Sequence, residues 1–198
     1  QFVNRNFLFM INKKFIQKLK SEYAKTEGER RQIISLSNVI LHDSKRIIFS
    51  LHRSEVAIAK DSFANIEQIL KKLEKQFGVK RIYEEGSYKA AVEEYVEAKM
   101  FYFVLTGKKV DKIPGVNLNH ESYLGGICDL TGELVRLAIN QAAAGKLAEV
   151  PRIKGIINDI MGELVQFDMT GYLRTKYDQA KGNLRKIEQV DYEIKIRK

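Results

Sequence analysis

Glu94 and Glu97 stand three residues apart in a stretch of helical pattern, so both carboxylates lie on one helix face. That face is completed by Ala90, Phe101 and Val104, and no Lys or Arg stands three or four positions from either acid. Asp129 and Glu133 form a second pair at i, i+4. Asp129 shares its face with Gly125, Gly126 and Gly132, which bring no charge. Carboxylates without local counter-charge on half-apolar faces are costly, because close like charges raise one another's pKa unless a cation intervenes. A divalent cation answers this simply, since Mg²⁺ and Mn²⁺ prefer oxygen ligands and keep several waters. Spacing alone leaves two alternatives open: Glu94 and Glu97 face solvent, or they meet lysines from another helix. Asp159 and Glu163 repeat the i, i+4 spacing but read as ordinary polar-face residues or as part of a subunit contact.

Other chemistries find less support. A di-iron carboxylate bundle needs Glu-x-x-His motifs, and His42, His52 and His120 follow no glutamate at that spacing. The single cysteine, Cys128, forms neither an intrachain disulfide nor a thiolate zinc cluster, and fits a reducing interior such as the cytoplasm. Glycine-rich phosphate loops are absent. His42 and His52 could act as acid and base in a metal-free ribonuclease. His52 adjoins Arg53 at a helix end, however, where a phosphate contact is simpler. Lys and Arg number 34 against 25 Asp and Glu, a net charge of +9 that suits a polyanion. The basic residues come in groups, among them Arg30-Arg31, Lys45-Arg46, His52-Arg53, Lys71-Lys72, Lys80-Arg81 and Arg185-Lys186. Any one group reads as a solvated helix face; together they form a footprint for phosphates. No aromatic platform for reading bases is visible.

The elements that must position these residues are helices. With two prolines, Pro114 and Pro151, most of the chain is free to be helical. Ile33, Leu36, Ile40, Ile47 and Leu51 form one apolar stripe. Val56, Ala59, Phe63, Ile66, Leu70, Leu73 and Phe77 form another, closed by Gly78. Further helices are expected over about 87–105, 120–144, 151–167 and 173–194, with a shorter one near 11–24 and a surface loop over 106–119. The result is an all-α chain of about seven helices in one domain, residues 10–198. The apolar stretch 1–9 reads as a leader segment. No apolar run reaches the roughly 20 residues a membrane span needs.

Four segments of the chain resemble a known family. Glu94-Tyr95-Val96-Glu97-Ala98 is similar to a segment of translin-associated factor X, the catalytic branch of the translin family. The run Tyr123-Leu124-Gly125-Gly126-Ile127-Cys128-Asp129-Leu130-Thr131-Gly132-Glu133-Leu134 resembles that branch's signature. Ser44-Lys45-Arg46 through Leu51-His52-Arg53 resembles its early basic helix, and Lys186 through Arg197 the closing helix shared with translin. The resemblance runs in order from about Ile11. It implies a translin-type bundle that assembles into a hollow oligomer, commonly of eight subunits, with RNA inside. It further implies a Mg²⁺-dependent endoribonuclease, with Mn²⁺ as an alternative metal. Glu94, Glu97 and Asp129 would be the catalytic metal ligands, with Glu133 as a further ligand or close neighbour. Translin itself lacks the Glu-x-x-Glu pair. Lys45, Arg46, His52 and Arg53 are expected to bind RNA. The short loop before Tyr123 and the end at Lys198 favour a self-sufficient homo-oligomer, an octamer, in the cytoplasm. The competing expectation is a non-catalytic oligomer that binds single-stranded nucleic acid as translin does.

Overall fold

A computed structural model of the chain describes residues 11–196. The leader segment expected at 1–9, and Arg197 of the closing motif, lie outside the described residues. Seven helices follow one another: α1 Lys13–His52, α2 Val56–Phe77, α3 Val79–Ile82, α4 Gly86–Leu105, α5 His120–Ala143, α6 Glu149–Leu164 and α7 Gly171–Ile196. Among the described residues there is no strand.

The expected number of helices is reached by a different division. The short helix near 11–24 and the stripe from Ile33 are one helix of 40 residues, capped by the Asn12 side chain, which accepts from the Phe15 N–H at 3.2 Å. Its first half is exposed and its second buries Ile33, Ile40, Ile47 and Leu51. A single helical turn, α3, follows Gly78, whose φ of 81° ends α2 in a conformation that favours glycine.

Helix α4 is the centre of the bundle. It packs against α1 on one side and α5 on the other, while α5 also meets α6 and α7. A helix enclosed this way must be apolar nearly all round. Tyr88, Ala91, Val92, Tyr95, Val96, Ala98, Met100 and Phe101 are accordingly all buried. That enclosure makes the two acids it also buries, Glu93 and Glu97, exceptional. The 106–119 loop is pinned rather than loose: Ile113 is fully buried and its N–H donates to the Tyr123 hydroxyl at 3.0 Å. Asn119 closes the loop by accepting from the Ser122 N–H at 2.9 Å as the cap of α5. Pro151 lies in the first turn of α6, where its missing N–H costs nothing.

Gly126 sets how closely α4 and α5 approach. A Cβ there would lie 2.7 Å from Val96 Cβ and 2.8 Å from the Glu93 carbonyl oxygen, so backbone would have to move. The Gly126→Ala variant is therefore expected to lose about 1–3 kcal/mol by overpacking, despite alanine's better helix propensity. Urea denaturation would show it as a lower midpoint, and an unchanged midpoint would mean the helices separate freely.

Candidate active site

The four acids singled out by spacing come from α4 and α5, the two helices that touch at Gly126. Glu94 and Glu97 face Asp129 and Glu133 closely enough for all four charges to act on one another. Burial pushes the Glu97 carboxyl up to about 9, and the like charges of Glu94, Asp129 and Glu133 add to the shift. Glu94 is half-buried and is also raised, first by burial and then by Asp129 and Glu133, with Lys45 opposing. Among the described residues, neither Glu94 nor Glu97 makes a hydrogen bond or a close ion pair.

The other two acids do have partners. The expectation that Asp129 lacks a cation holds only within its own helix. Lys176 reaches across from α7, bonds to Asp129, and also lies 2.7 Å from Glu93. Burial nonetheless keeps Asp129 above the usual carboxylate range, with Glu93 adding to it, because both outweigh the lysine. Burial opposes the charge on Lys176, yet Asp129 and Glu93 hold the ammonium well above its ordinary pKa. The lysine is therefore charged, shared between two acids. Glu133 is bound by His52 and lies 3.5 Å from Arg136. Burial alone would raise Glu133, but these two partners hold it below its ordinary value.

This arrangement corrects the expectation for His52. Its side chain is 4% exposed, packs on the Phe101 ring at 4.8 Å and points inward to Glu133, so it offers no phosphate contact in this state. It orients a carboxylate instead. The other three basic residues are at the surface. Lys45 is exposed and near enough to Glu94 to favour its charge. Arg46 lies 3.8 Å from Asp43, and Arg53 pairs with Glu55 at 3.0 Å while lying over the exposed Phe49 ring. Asp159 and Glu163 stand apart from the cluster, on α6 beside an apolar groove that includes Ile156 and Phe167.

Among the described residues, no three acids already converge into a cage for a metal ion. The donor set still suits one: it consists of hard carboxylate oxygens, and those of half-buried Glu94 and buried Glu97 have no close cation of their own. A cleft of about 760 Å³ opens beside the cluster rather than over it, lined by Glu93, His120, Asp168, Tyr172 and Leu173 among others.

The family model described as Translin matches residues 28–198. The chain belongs to the Translin family. The match begins after the first turns of α1, later than the resemblance drawn from Ile11. Translin of Gallus gallus is 35% identical over 94 residues, 47% of this chain and 41% of that protein. The translin-associated protein X homolog of Schizosaccharomyces pombe is 30% identical over 133 residues, 59% of this chain and 57% of that protein. The chain thus spans about half the length of these translin-family relatives. Among solved structures, AfC3PO superposes with a TM-score of 0.83 at 21% identity, covering 92% of this chain and 98% of its own. The complex of AfC3PO with duplex RNA gives 0.79 at 19% identity, covering 92% and 97%. These two share the fold with the translin-family chain described here. No described helix is long and apolar enough to cross a membrane.

Sequence reasoning missed Lys176, Tyr172 and the role of Glu93. Two signals were available. Tyr172 and Lys176 stand at i, i+4 on one face of α7. Gly125 leaves the space that the Glu93 carboxylate fills, since a Cβ there would lie 2.0 Å from Glu93 Oε2.

Proposed function

We propose that this chain is a metal-dependent endoribonuclease subunit of the translin-associated factor X type, working in a hollow homo-oligomer, an octamer, in the cytoplasm. The observation that carries the reading is the pair Glu94 and Glu97, enclosed opposite Asp129 and Glu133 with no protein partner of their own. A bundle that only bound nucleic acid would gain nothing from enclosing uncompensated carboxylates. Translin lacks this Glu-x-x-Glu pair, which supports the catalytic branch. The fold shared with a protein solved in complex with duplex RNA supports RNA as the substrate class.

Glu94, Glu97 and Asp129 would hold Mg²⁺ or Mn²⁺, with Glu133 as a further ligand or close neighbour. The metal would supply an activated water and stabilise charge on the phosphate oxygens. The chain's own residues do the rest. His52 fixes the orientation of Glu133, and the Phe101 ring fixes His52. Lys45 stands over the Glu94 side, where it favours a phosphate as readily as it favours that carboxylate. Arg46 and Arg53, on or just after the same helix, are solvent-facing and extend the positive surface.

Incubating the full chain with labelled single-stranded RNA in Mg²⁺ or Mn²⁺ should give fragments ending in 5′-phosphate and 3′-hydroxyl, and EDTA should abolish them. The second reading, a non-catalytic nucleic-acid-binding oligomer, is favoured by the match to translin and by Asp129 being already neutralised by Lys176. RNA binding without cleavage in either metal would establish it.

A further inference from the structure

The lysine inside the acid cluster is built in, and its surroundings show how. The Lys176 side chain is 17% exposed, and its ammonium is bonded to Asp129 and lies 2.7 Å from Glu93 Oε1. The Tyr172 hydroxyl, one turn earlier on α7, donates to that same Glu93 oxygen at 2.6 Å. Lys176 Nζ also lies 5.4 Å from the Tyr172 ring centroid, within range of the ring's negative face. Gly125 leaves the room that the Glu93 carboxylate occupies, since a Cβ there would collide with it. Helices α4, α5 and α7 thus each contribute a part whose effect is to place one ammonium on Asp129.

We propose that Lys176 is the resident counter-ion of this site, held by a Tyr172–Glu93 clamp, and that a divalent cation loads on Asp129 by displacing it onto Glu93. The proposal rests on the metal-binding reading given above. A divalent ion coordinated by Asp129 would stand within a few ångströms of a charged ammonium in a partly enclosed site, and the two repel. Loading therefore requires the Asp129–Lys176 pair to open. A lysine suits this role because its charge is compact and its four-carbon stem is flexible, so it can swing to Glu93 alone; a planar guanidinium would hold a fixed fork. The device also explains why the acids form no ready-made cage among the described residues: one of them is occupied by a cation of the chain itself. Its consequence is a site that stays charge-balanced without metal and that discriminates against weakly held cations.

The test measures Mn²⁺ binding to the full chain by the EPR signal of free Mn²⁺, with melting temperature followed in parallel. Lys176→Gln is expected to bind Mn²⁺ at least tenfold more tightly than the unaltered chain. Without metal it should melt lower, and it should gain more from saturating Mn²⁺. Equal or weaker Mn²⁺ affinity in Lys176→Gln overturns the proposal and leaves the metal site standing, since the unaltered chain reads that separately. Absence of Mn²⁺ binding in both proteins overturns the metal reading and, with it, this one. Where Lys176→Gln does not fold, Lys176→Arg keeps the charge but not the compact, mobile head. It should bind Mn²⁺ several-fold more weakly than the unaltered chain, and unchanged affinity would overturn displacement. Lys181→Gln, which removes a surface partner of Asp178, should leave Mn²⁺ binding as it is.

Discussion

The Asp129→Asn variant is expected to lose RNA cleavage by more than about 100-fold while keeping its fold and its RNA affinity. Asp129 is the acid that joins the two halves of the site. It lies in the field of Glu94 and Glu97 on α4 and is bonded to Lys176 on α7. The substitution keeps shape and removes a charge, so it removes a metal ligand without opening a cavity. Losing only an outer partner of a metal ligand commonly costs about 10- to 100-fold, and a direct ligand should cost more. The effect on stability should be small, on the order of 1 kcal/mol, because Lys176 keeps Glu93 as a partner. Cleavage rate, thermal melting and RNA titration on one preparation separate these effects. Turnover at the unaltered rate would remove Asp129 from the chemistry. A collapse of the melting temperature would make its ion pair a structural one.

How much of this could be read from the sequence depends on the range of the interaction concerned. Contacts within one helix were legible. The stripe Ala59, Phe63, Ile66, Leu70, Leu73 is buried as its spacing predicts, and Gly78 ends that helix. Glu94 with Glu97, and Asp129 with Glu133, were found because i, i+3 and i, i+4 place side chains on one face. Contacts between helices were not legible. Lys176 lies 47 residues from Asp129 and His52 lies 81 from Glu133, and no local pattern announces either pair. Reading only neighbours three and four positions away made Asp129 look bare, and the adjoining Arg53 at the helix end put His52 on the phosphate side. The first half of α1 misled differently. Its exposed Phe15, Ile16 and Leu19 look like a separate amphipathic helix, although the backbone continues unbroken through Ser37 into the buried half. The Glu-x-x-Glu motif of Glu94 and Glu97 thus located the site, while the partners that tune it came only with the packing of α7 and the end of α1.

Glu97→Gln is expected to stabilise the chain at high pH in metal-free buffer, and to abolish its cleavage when Mg²⁺ or Mn²⁺ is present. The folded chain holds the Glu97 proton up to about 9, whereas an ordinary glutamate releases it near 4.5. Between those values the folded state binds a proton that the unfolded state has lost. Stability is therefore greatest at the acid end of that window and falls as pH rises through it. Glu94 and Asp129, also raised, contribute with the same sign. Glu133, held low by His52 and Arg136, contributes with the opposite sign and only at the acid limit. Glutamine has no proton to release, so the variant should lose most of the slope, and near pH 8.5 it should exceed the unaltered chain by an amount on the order of a few kcal/mol. Adding the paired change Glu94→Gln should flatten the profile further. A divalent cation reverses the order of stability, because it binds the deprotonated carboxylates and so rewards the form that burial disfavours. With Mg²⁺ or Mn²⁺ present, the unaltered chain should therefore gain stability as pH rises from 6 to 8.5, and Glu97→Gln should gain little. Urea midpoints measured across that range, with EDTA and with metal, give all four curves. Parallel EDTA curves for the two proteins would show that Glu97 is already relieved by solvent and would deny it the metal.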